Sequence, residues 1–442
     1  MRNSLLLYLL FLLQPVIGQV QAIPLDLPDY SFIRYSTNYF ELVENNPAFQ
    51  SLFSKFDTLI GTGNNRIKIV HLGGSHIQAD VYTHRIRQEM QSFYPGVLGS
   101  RGFFFPYSLA RTNNPSNLWI AYSGDWQTCK NTQKTIPYVM GLSGITSELT
   151  SAAGSIIIVA RYDTLRHYDF NRIRIYCNAA ETGIIPEVNP AGGAVDEVTV
   201  HSSGAYVQYR LNQYSDTLLI RIAQPDSSGR LFQLYGISLD NDDPGVVYNA
   251  IGVNGAKLES YLRCSLFVPQ LRTLEPDWVI ISIGTNEGNT REFDEAAYRD
   301  NYRQLLDSVR LAAPGAAILL TVPNDSYLYK HYINPNTARI RQIIFEIARA
   351  NGCGVWDFYS VMGGLNSAKA WYDQGLMKKD HIHFSKPGYL LKGDLFFSAF
   401  LTSWDNHLLQ VNAESQRSLP GLHTQTPVIS QPVSNTLHPL HD

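Results

Sequence analysis

Four short stretches of the chain carry residues that together could perform acyl transfer. The first, HLGGSHIQAD at residues 71–80, places Ser75 after two glycines, where an apolar run gives way to a helical pattern. A turn from a strand into a helix exposes a serine hydroxyl beside the unpaired N–H groups of the first helical turn. Ser75 is therefore a candidate nucleophile, although a lone Gly-Gly-Ser more often only caps a helix.

A nucleophilic serine needs a base, and the base needs an acid that orients it. The stretch KKDHIHFSKPGY supplies Asp380 and His383, three residues apart. In a tight turn this spacing can set the carboxylate against one imidazole nitrogen and leave the other nitrogen facing the sheet edge. His381 is a competing base in the same stretch. A DxxH spacing is common by itself, so its interpretation depends on the other motifs.

Acyl transfer also needs hydrogen-bond donors for a developing oxyanion. The stretch NAIGVNGAKL offers Gly255 ahead of a helix, where an N–H without a side chain beside it can approach a substrate. The stretch ISIGTNEGN places Asn286 directly after an apolar strand, at the carboxyl end where ligands of open α/β sheets bind. Either residue alone could instead serve a turn. All four motifs, however, point to one sheet edge.

The elements that must position these residues follow from apolar periodicity. Apolar strands alternate with amphipathic helices, which predicts a parallel sheet covered on both faces. The predicted elements are a strand at 66–72 with a helix at 76–93, a strand at 278–284 with a helix at 293–313, a strand at 316–322 with a helix that ends at Gly352, and a short strand at 354–358.

The apolar periodicity changes from helical to alternating between residues 102 and 243. Short alternating runs such as GSIIIVARYD, RIRIYC and AYVQYRL are separated by Gly, Asn, Asp and Ser, which predicts a β-sandwich. We therefore predict an α/β domain at 23–101 and 244–404 that is interrupted by an all-β insert at 102–243. Residues 405–442 are polar and rich in Pro and Ser, which predicts a disordered tail.

Composition limits the classes of partner. The 442 residues are 44% apolar with a net charge of -3, which is enough for two or three cores and gives no basic surface for nucleic acid. Residues 1–22 combine one Arg, an apolar stretch and a small-residue exit, which is typical of a secretory signal peptide. No other segment is apolar enough to span a membrane, so we expect an exported protein with no membrane span after signal cleavage.

The cysteines do not form a recognisable site. They are widely spaced and contain no CxxC pair, so they predict neither a metal site nor a dense disulfide scaffold. One disulfide and buried free thiols both stay open for Cys129, Cys177, Cys264 and Cys353.

The order Ser, Gly, Asn and then Asp-x-x-His resembles the SGNH, or GDSL-type, hydrolase family. Its blocks match, in order, Ser75, Gly255, Asn286, and Asp380 with His383. GTNE and DHIHFSKPGY are the strongest matches, whereas GGSH departs from the family's Gly-Asp-Ser because Gly74 stands where the family has Asp. The resemblance covers about residues 64–100 and 245–402.

The resemblance implies a flavodoxin-like three-layer α/β core and a hydrolase for esters of small acyl groups that requires no metal or other cofactor. It implies that Ser75 attacks the carbonyl, that His383 removes and returns the proton, and that Asp380 holds the imidazole. It also implies an oxyanion hole made by the backbone N–H groups of Ser75 and Gly255 and the side-chain amide of Asn286.

Within the family, GTNE in place of GxND, an exported chain and the inserted sandwich are similar to the bacterial peptidoglycan O-acetylesterases, which carry a carbohydrate-binding-like, jelly-roll-like insert in that place. This subgroup implies an acetylated polysaccharide or glycan as substrate and a periplasmic or secreted location. Aromatic side chains suit sugar faces, although each is more often a core residue. The candidate platforms are Trp119, Trp126, Trp356 and Trp371.

Two other functions stay open. The chain could be a carbohydrate-binding protein whose SGNH site is weak or idle, with Gly74 as the sign. It could also be an O-acetyltransferase that uses the same triad to pass an acetyl group to a polysaccharide. Acetate release from a chromogenic ester separates an enzyme from a binding protein, and an added sugar acceptor separates a transferase from a hydrolase.

Overall fold

The computed structural model describes residues 26–44, 46–160, 168–224 and 229–417, with side chains up to Gln410. The predicted signal peptide lies outside these ranges, as do residues 418–442 of the predicted tail. No helix within the described ranges is both long enough and apolar enough to cross a membrane.

The helices and strands fall into three consecutive groups. The first group is β1 (Phe40–Glu41), α1 (Pro47–Thr62), β2 (Arg66–Gly73), α2 (Ser75–Gln78) and α3 (Tyr82–Met90). The second group is β3 (Gly102–Phe104), β4 (Leu118–Ser123), β5 (Trp126–Lys130), β6 (Ile145–Leu149), β7 (Ala153–Ala160), β8 (Phe170–Cys177), α4 (Ala179–Thr182), β9 (Glu187–Pro190), β10 (Val195–His201), β11 (Tyr206–Ser215), β12 (Thr217–Ala223) and β13 (Gln233–Asp240). The third group is β14 (Gly245–Gly252), α5 (Leu258–Leu262), α6 (Phe267–Leu274), β15 (Trp278–Ser282), α7 (Thr285–Gly288), α8 (Glu295–Ala312), β16 (Ala317–Thr321), β17 (Tyr327–Leu328), β18 (Tyr332–Ile333), α9 (Asn336–Asn351), β19 (Gly354–Trp356), α10 (Phe358–Val361), α11 (Ser367–Asp373) and α12 (Lys386–Arg417).

The first and third groups build one six-stranded sheet with the order β1-β19-β16-β15-β2-β14. All neighbours from β19 to β14 are parallel, and only β1 pairs antiparallel, at the edge. Counted along the chain, the parallel strands follow the flavodoxin-like order 2-1-3-4-5, in which the strand order reverses beside the first strand. The predicted flavodoxin-like α/β architecture is confirmed, and β2 lies at the reversal.

Alternating side chains of β2 divide between the two faces of this sheet. Ile67 and Ile69 belong to a hydrophobic cluster with residues of α1, α3 and α12. Val70 and Leu72 belong to a second cluster with residues of α8 and α9. A strand buried on both faces reads as a continuous apolar run, as β15 and β16 do, which is why the sequence predicted these two strands well.

The second group forms two antiparallel sheets. The larger sheet has the order β10-β11-β8-β13-β6-β5, with β3 also paired to β13, and the smaller one has the order β4-β7-β12-β9. Buried residues of both sheets, such as Ile158, Ile220, Ile173 and Val207, share one hydrophobic cluster. The predicted all-β insertion is therefore confirmed, while its exact boundaries stay a prediction.

The predicted helix over 76–93 is wrong as one continuous helix, because it is divided into α2 and α3. Asp80 separates the two with a left-handed φ of 45°. Its buried carboxylate pairs with Arg87 on α3 at 3.2 Å and with Arg101 at 3.3 Å. Burial by itself would raise the pKa of Asp80, but the two guanidinium groups outweigh burial and lower that pKa to about 2.

The prediction of disorder from residue 405 is wrong for residues 405–417, because α12 continues to Arg417. The Trp404 indole N–H donates to Asp57 on α1 at 2.8 Å. The ring of His407 lies 5.3 Å from that of Phe53, also on α1. These contacts extend the helix into a segment whose composition is mostly polar.

The four cysteines are buried and free. Of the two alternatives that the sequence left open, the structure has the free thiols.

Candidate functional site

The candidate site lies where three neighbouring parallel strands, β15, β2 and β14, end. Helix α2 follows β2 almost directly, and α7 follows β15. A Cβ atom on Gly252, the last residue of β14, would lie 2.7 Å from the carbonyl oxygen of Gly74 and 2.3 Å from the nitrogen of Gln78. Only glycine permits this approach, and it brings the segment after β14 against the turn that carries Ser75.

Ser75 is the first residue of α2, and its Oγ lies 2.9 Å from Nε2 of His383. On the other side of the ring, Nδ1 of His383 lies 2.8 Å from Oδ2 of Asp380. With the ring proton on Nδ1, Nε2 can accept the hydroxyl proton of Ser75. The structure therefore joins the three residues in one chain of hydrogen bonds.

The turn at residues 380–383 fixes the carboxylate of Asp380. Its Oδ1 accepts from the backbone N–H groups of Ile382 at 3.0 Å and His383 at 2.9 Å. Burial would raise the pKa of Asp380, but the hydrogen bonds from His383 and Ile382 outweigh burial, so that the pKa lies below its ordinary value. The group stays ionised and able to hold the imidazole.

His381, the competing base, points elsewhere. Its backbone has a left-handed φ of 49°. Its ring stacks on that of Tyr327 with centroids 4.4 Å apart and lies 4.7 Å from the ring of Tyr372. The structure thus places His383, and not His381, against Ser75.

Asn286 and the loop after β14 meet beside the turn that carries Ser75. Nδ2 of Asn286 donates to the carbonyl oxygen of Ala256 at 2.9 Å. A side-chain amide carries two N–H groups, so a second donor remains. Gly255, the neighbour of Ala256, has a left-handed φ of 82°, and a Cβ there would meet no heavy atom within 4 Å. The two oxyanion-hole candidates therefore share one side of the site.

Gly74 replaces the aspartate of the Gly-Asp-Ser pattern without backbone strain, because its φ is -96°. A Cβ atom at this position would lie 3.3 Å from Nδ2 of Asn286 and 3.7 Å from the carbonyl oxygen of Ala256. A side chain at residue 74 would therefore face the amide of Asn286. In this chain the backbone of Ala256 holds that amide instead.

The sequence did not predict two further polar residues of the site. Oε1 of Gln78 accepts from the backbone N–H of Asn254 at 2.7 Å, and its Nε2 donates to Thr112 at 3.1 Å. Oε1 of Glu287 accepts from the backbone N–H of Leu258 at 2.7 Å. Only their positions in the sequence could have indicated them, because Gln78 follows Ser75 in α2 and Glu287 stands in the GTNE motif.

Comparison with known proteins finds a family match in the second half of the chain. Residues 221–391 match the model of the GDSL-like lipase/acylhydrolase family. Over this stretch the chain is similar to the GDSL-like acylhydrolases. The match contains Gly255, Asn286, Asp380 and His383, and it begins after Ser75. This similarity supports a carboxylic ester hydrolase.

One solved structure of known activity has a similar fold over most of the chain. A peptidoglycan O-acetylesterase is 21% identical with a TM-score of 0.62, and the alignment covers 86% of this chain and 99% of that one. A lipase/acylhydrolase from Enterococcus faecalis and an acetyl xylan esterase are 19% and 18% identical with TM-scores of 0.29, and each alignment covers 36% of this chain and 77% or 82% of the other. None of the curated proteins is a significant match.

A buried histidine lies behind the turn that carries Ser75. The ring of His76 lies 5.2 Å from that of His383, and its Nδ1 lies 2.9 Å from the hydroxyl of Tyr389. Burial, with a smaller contribution from the positive charge of Lys392, lowers the pKa of His76 well below its ordinary value. A neutral ring therefore lies beside the imidazole of His383.

Two of the four tryptophans proposed as sugar platforms are core residues of the α/β region. Trp356 and Trp371 are 1% and 0% exposed, so the prediction is wrong for both. They pack against the aromatic ring of Phe358. Trp119 on β4 is 42% exposed, and Trp126 on β5 is partly buried. Of these four tryptophans, Trp119 and Trp126 therefore keep a solvent-accessible face.

Proposed function

We propose that the protein is an exported serine esterase that removes O-acetyl groups from a polysaccharide through an acyl-enzyme. The observation that carries this proposal is the hydrogen-bonded chain from Ser75 through His383 to Asp380 at the carboxyl end of β2. It joins a hydroxyl, a base and an orienting acid in the arrangement that acyl transfer requires. The acylhydrolase family match supports the same chemistry.

In the first half of the reaction, Oγ of Ser75 attacks the acetyl carbonyl while Nε2 of His383 takes the hydroxyl proton. Asp380 stabilises the imidazolium through its bond to Nδ1. The oxyanion accepts from the backbone N–H groups of Ser75 and Gly255 and from the free N–H of Asn286. Collapse of the tetrahedral intermediate breaks the bond to the sugar oxygen, which leaves with the proton from the imidazole.

In the second half, a water molecule attacks the acetyl group on Ser75. Nε2 of His383 takes a proton from this water and returns it to Oγ of Ser75 when the intermediate collapses. The products are acetate and the free enzyme. Each proton that leaves Nε2 is replaced within the cycle, so the net reaction is ester hydrolysis.

A glycan substrate is supported by the groove that β5 and its neighbouring loops form. Trp126 and Tyr138 line this groove, together with the polar side chains of Gln127, Lys130 and Arg111. Aromatic rings beside amide and cationic groups suit a sugar ring that carries hydroxyl and carboxylate groups. The similar peptidoglycan O-acetylesterase makes peptidoglycan the first polysaccharide to test, and the apolar segment within residues 1–22 supports export.

The test measures acetate released from an acetylated chromogenic ester, from O-acetylated peptidoglycan and from acetylated xylan. We expect release with the wild-type protein, fastest from peptidoglycan, and none above background with Ser75→Ala. Equal release by Ser75→Ala would contradict the serine mechanism. Release from xylan alone would retain the esterase and exclude the peptidoglycan assignment.

Transferase activity is the remaining alternative for the same acyl-enzyme. Adding a sugar acceptor to the chromogenic ester distinguishes the two reactions, because a transferase forms acetylated sugar at the expense of acetate. We expect acetate to stay the main product. A predominance of acetylated sugar would make water the minor acceptor and assign the chain as a transferase.

A further inference from the structure

Two consecutive side chains of α7 hold the loop that contains Gly255. Nδ2 of Asn286 donates to the carbonyl oxygen of Ala256 at 2.9 Å, and Oε1 of Glu287 accepts from the backbone N–H of Leu258 at 2.7 Å. The two contacts lie two residues apart along the loop. One is made by a donor and the other by an acceptor, so together they fix both the position and the direction of this segment.

The contact from Glu287 satisfies a backbone group that α5 cannot satisfy itself. Leu258 is the first residue of α5, and N–H groups in the first turn of a helix have no partner within the helix. The preceding residue, Lys257, has a side chain that cannot accept a hydrogen bond. A carboxylate from a different segment therefore takes the place of the usual capping residue, which ties α5 to the strand end that carries Asn286.

The other oxygen of Glu287 lies in an unusual environment. The residue as a whole is partly exposed, but Oε2 is shielded from solvent and has no hydrogen-bond partner among the described residues. Burial raises the pKa of Glu287 to about 7, although the N–H of Leu258 and the charge of Lys257 act in the opposite direction. The charged and titratable groups that act on this carboxyl group are Lys257 and Glu259 on the α5 side and Tyr298 and Tyr302 on α8. Glu292 and Asp294, before α8, line the same cavity.

We propose that Glu287 is a positioning residue of the oxyanion hole: its carboxylate holds the loop after β14 so that Gly255 and Asn286 converge beside Ser75. This inference rests on the proposed esterase function. An ionised carboxylate accepts a shorter and stronger hydrogen bond than a carboxylic acid. Protonation of Glu287 therefore loosens the loop, and the hole weakens in the pH range where this proton binds.

The test compares Glu287→Ala and Glu287→Gln with the wild type. Glu287→Ala removes the acceptor for Leu258, whereas Glu287→Gln keeps an acceptor oxygen of the same reach but cannot ionise. A matched control is Glu292→Gln, which neutralises an exposed acid beside the same cavity. We expect Glu287→Ala to lower kcat by about tenfold to a hundredfold with a smaller change in KM, because the donors act mainly on the transition state. Glu292→Gln should leave both constants unchanged.

The pH dependence distinguishes positioning from a purely structural role. The ratio of the wild-type kcat to the Glu287→Gln kcat cancels every pH dependence that the two proteins share. We expect this ratio to be largest above about pH 8 and to fall towards one below about pH 6, where the wild-type carboxyl group is protonated as well. A ratio that stays constant over this range, or wild-type kcat in Glu287→Ala, would overturn the proposal.

Failure of this inference can be told apart from failure of the proposed function. If Ser75→Ala keeps the wild-type activity, the serine mechanism itself is wrong. If Ser75→Ala is inactive while both Glu287 variants match the wild type in kcat and pH profile, only the positioning role is overturned. Partial rescue by Glu287→Gln relative to Glu287→Ala, at equal melting temperature, supports the role.

Discussion

Ser75 and His383 transfer one proton between them, so removing either side chain should stop the same step. We expect Ser75→Ala and His383→Ala each to lower kcat by about four orders of magnitude or more, and the double variant to be little worse, because triad members act as a unit. Initial rates of acetate release measure this. His381→Ala is the control and should stay within about threefold, because its ring stacks on Tyr327 away from the nucleophile. Additive losses would contradict a common step.

Asn286 allows a test of the oxyanion hole, in which a partial loss of activity is expected. One N–H of its amide is held by Ala256, and the other is free for an oxyanion. Asn286→Ala should lower kcat by about a hundredfold or more with a small change in KM, as expected for a donor that acts in the transition state. Steady-state kinetics on the chromogenic ester give both constants. A change in KM alone would mean that Asn286 binds the substrate and does not stabilise the oxyanion.

Gly74 tests the departure from the family motif. The Cβ of a substituted residue would lie 3.3 Å from Nδ2 of Asn286, so a carboxylate at this position would compete with Ala256 for that amide. We expect Gly74→Asp to change kcat by less than about tenfold, because Asn286 keeps a hydrogen-bond partner in either case. A gain of several orders of magnitude would instead indicate that the natural site is idle and favour the binding-protein alternative.

At the scale of elements, the buried ion cluster around Asp80 connects the nucleophile helix to the rest of the fold. Arg87 and Arg101 are 0% and 1% exposed, and both pair with this carboxylate. Asp80→Asn should lower the free energy of unfolding by about 3–5 kcal/mol, because two buried cations would be left to repel each other. Urea denaturation measures the loss.

The matched control for the ion cluster is Asp300→Asn. Asp300 pairs with Arg303 on α8, and both side chains are about 60% exposed or more. This variant should change the free energy of unfolding by less than about 1 kcal/mol, since exposed pairs contribute little. Equal losses in the two variants would show that the Asp80 cluster has no special role.

Elements whose positions depend on local periodicity could be predicted, and those that depend on distant contacts could not. Strands β15 and β16 are apolar on both faces, and Gly352 ends α9 with a φ of 61° as its sequence indicates. The division of the helix at Asp80 depends on Arg101, and the continuation of α12 past residue 404 depends on contacts with α1. Periodicity within a window contains neither partner.

In the candidate site, too, local sequence predicted some features, and those that depend on distant contacts were missed. The order of the motifs predicted which residues meet, because parallel strands end at one edge. The contacts of Gln78 with the loop after β14 and of Glu287 with α5 cross between segments that are distant in sequence. Nothing in the residue type alone distinguishes them from solvated polar side chains.

At the scale of the whole molecule, the aromatic core beneath the site encloses a cation. Nζ of Lys392, on α12, lies 4.5 Å from the ring centroid of Phe358, 4.8 Å from that of Tyr82 and 5.3 Å from that of Phe384. It has no ion-pair partner among the described residues. Burial lowers the pKa of Lys392 from 10.5 to about 7, and the ring faces offset part of the cost of its charge.

The sign of the resulting pH dependence follows from proton binding. Between about pH 7 and the ordinary lysine pKa, the unfolded chain binds a proton at residue 392 that the folded protein does not bind, so this group makes stability rise with pH over that interval. Below about pH 7 the full penalty of the buried charge is present.

Lys392→Met keeps the length of the side chain and removes the charge. It should therefore raise the free energy of unfolding by about 2 kcal/mol or more at about pH 6.5, and the gain should shrink towards about pH 10. Denaturation at both pH values, with the exposed Lys369→Met as control, measures this. A gain that grows with pH, or a loss at the lower pH, would mean that the rings stabilise the cation more than burial destabilises it.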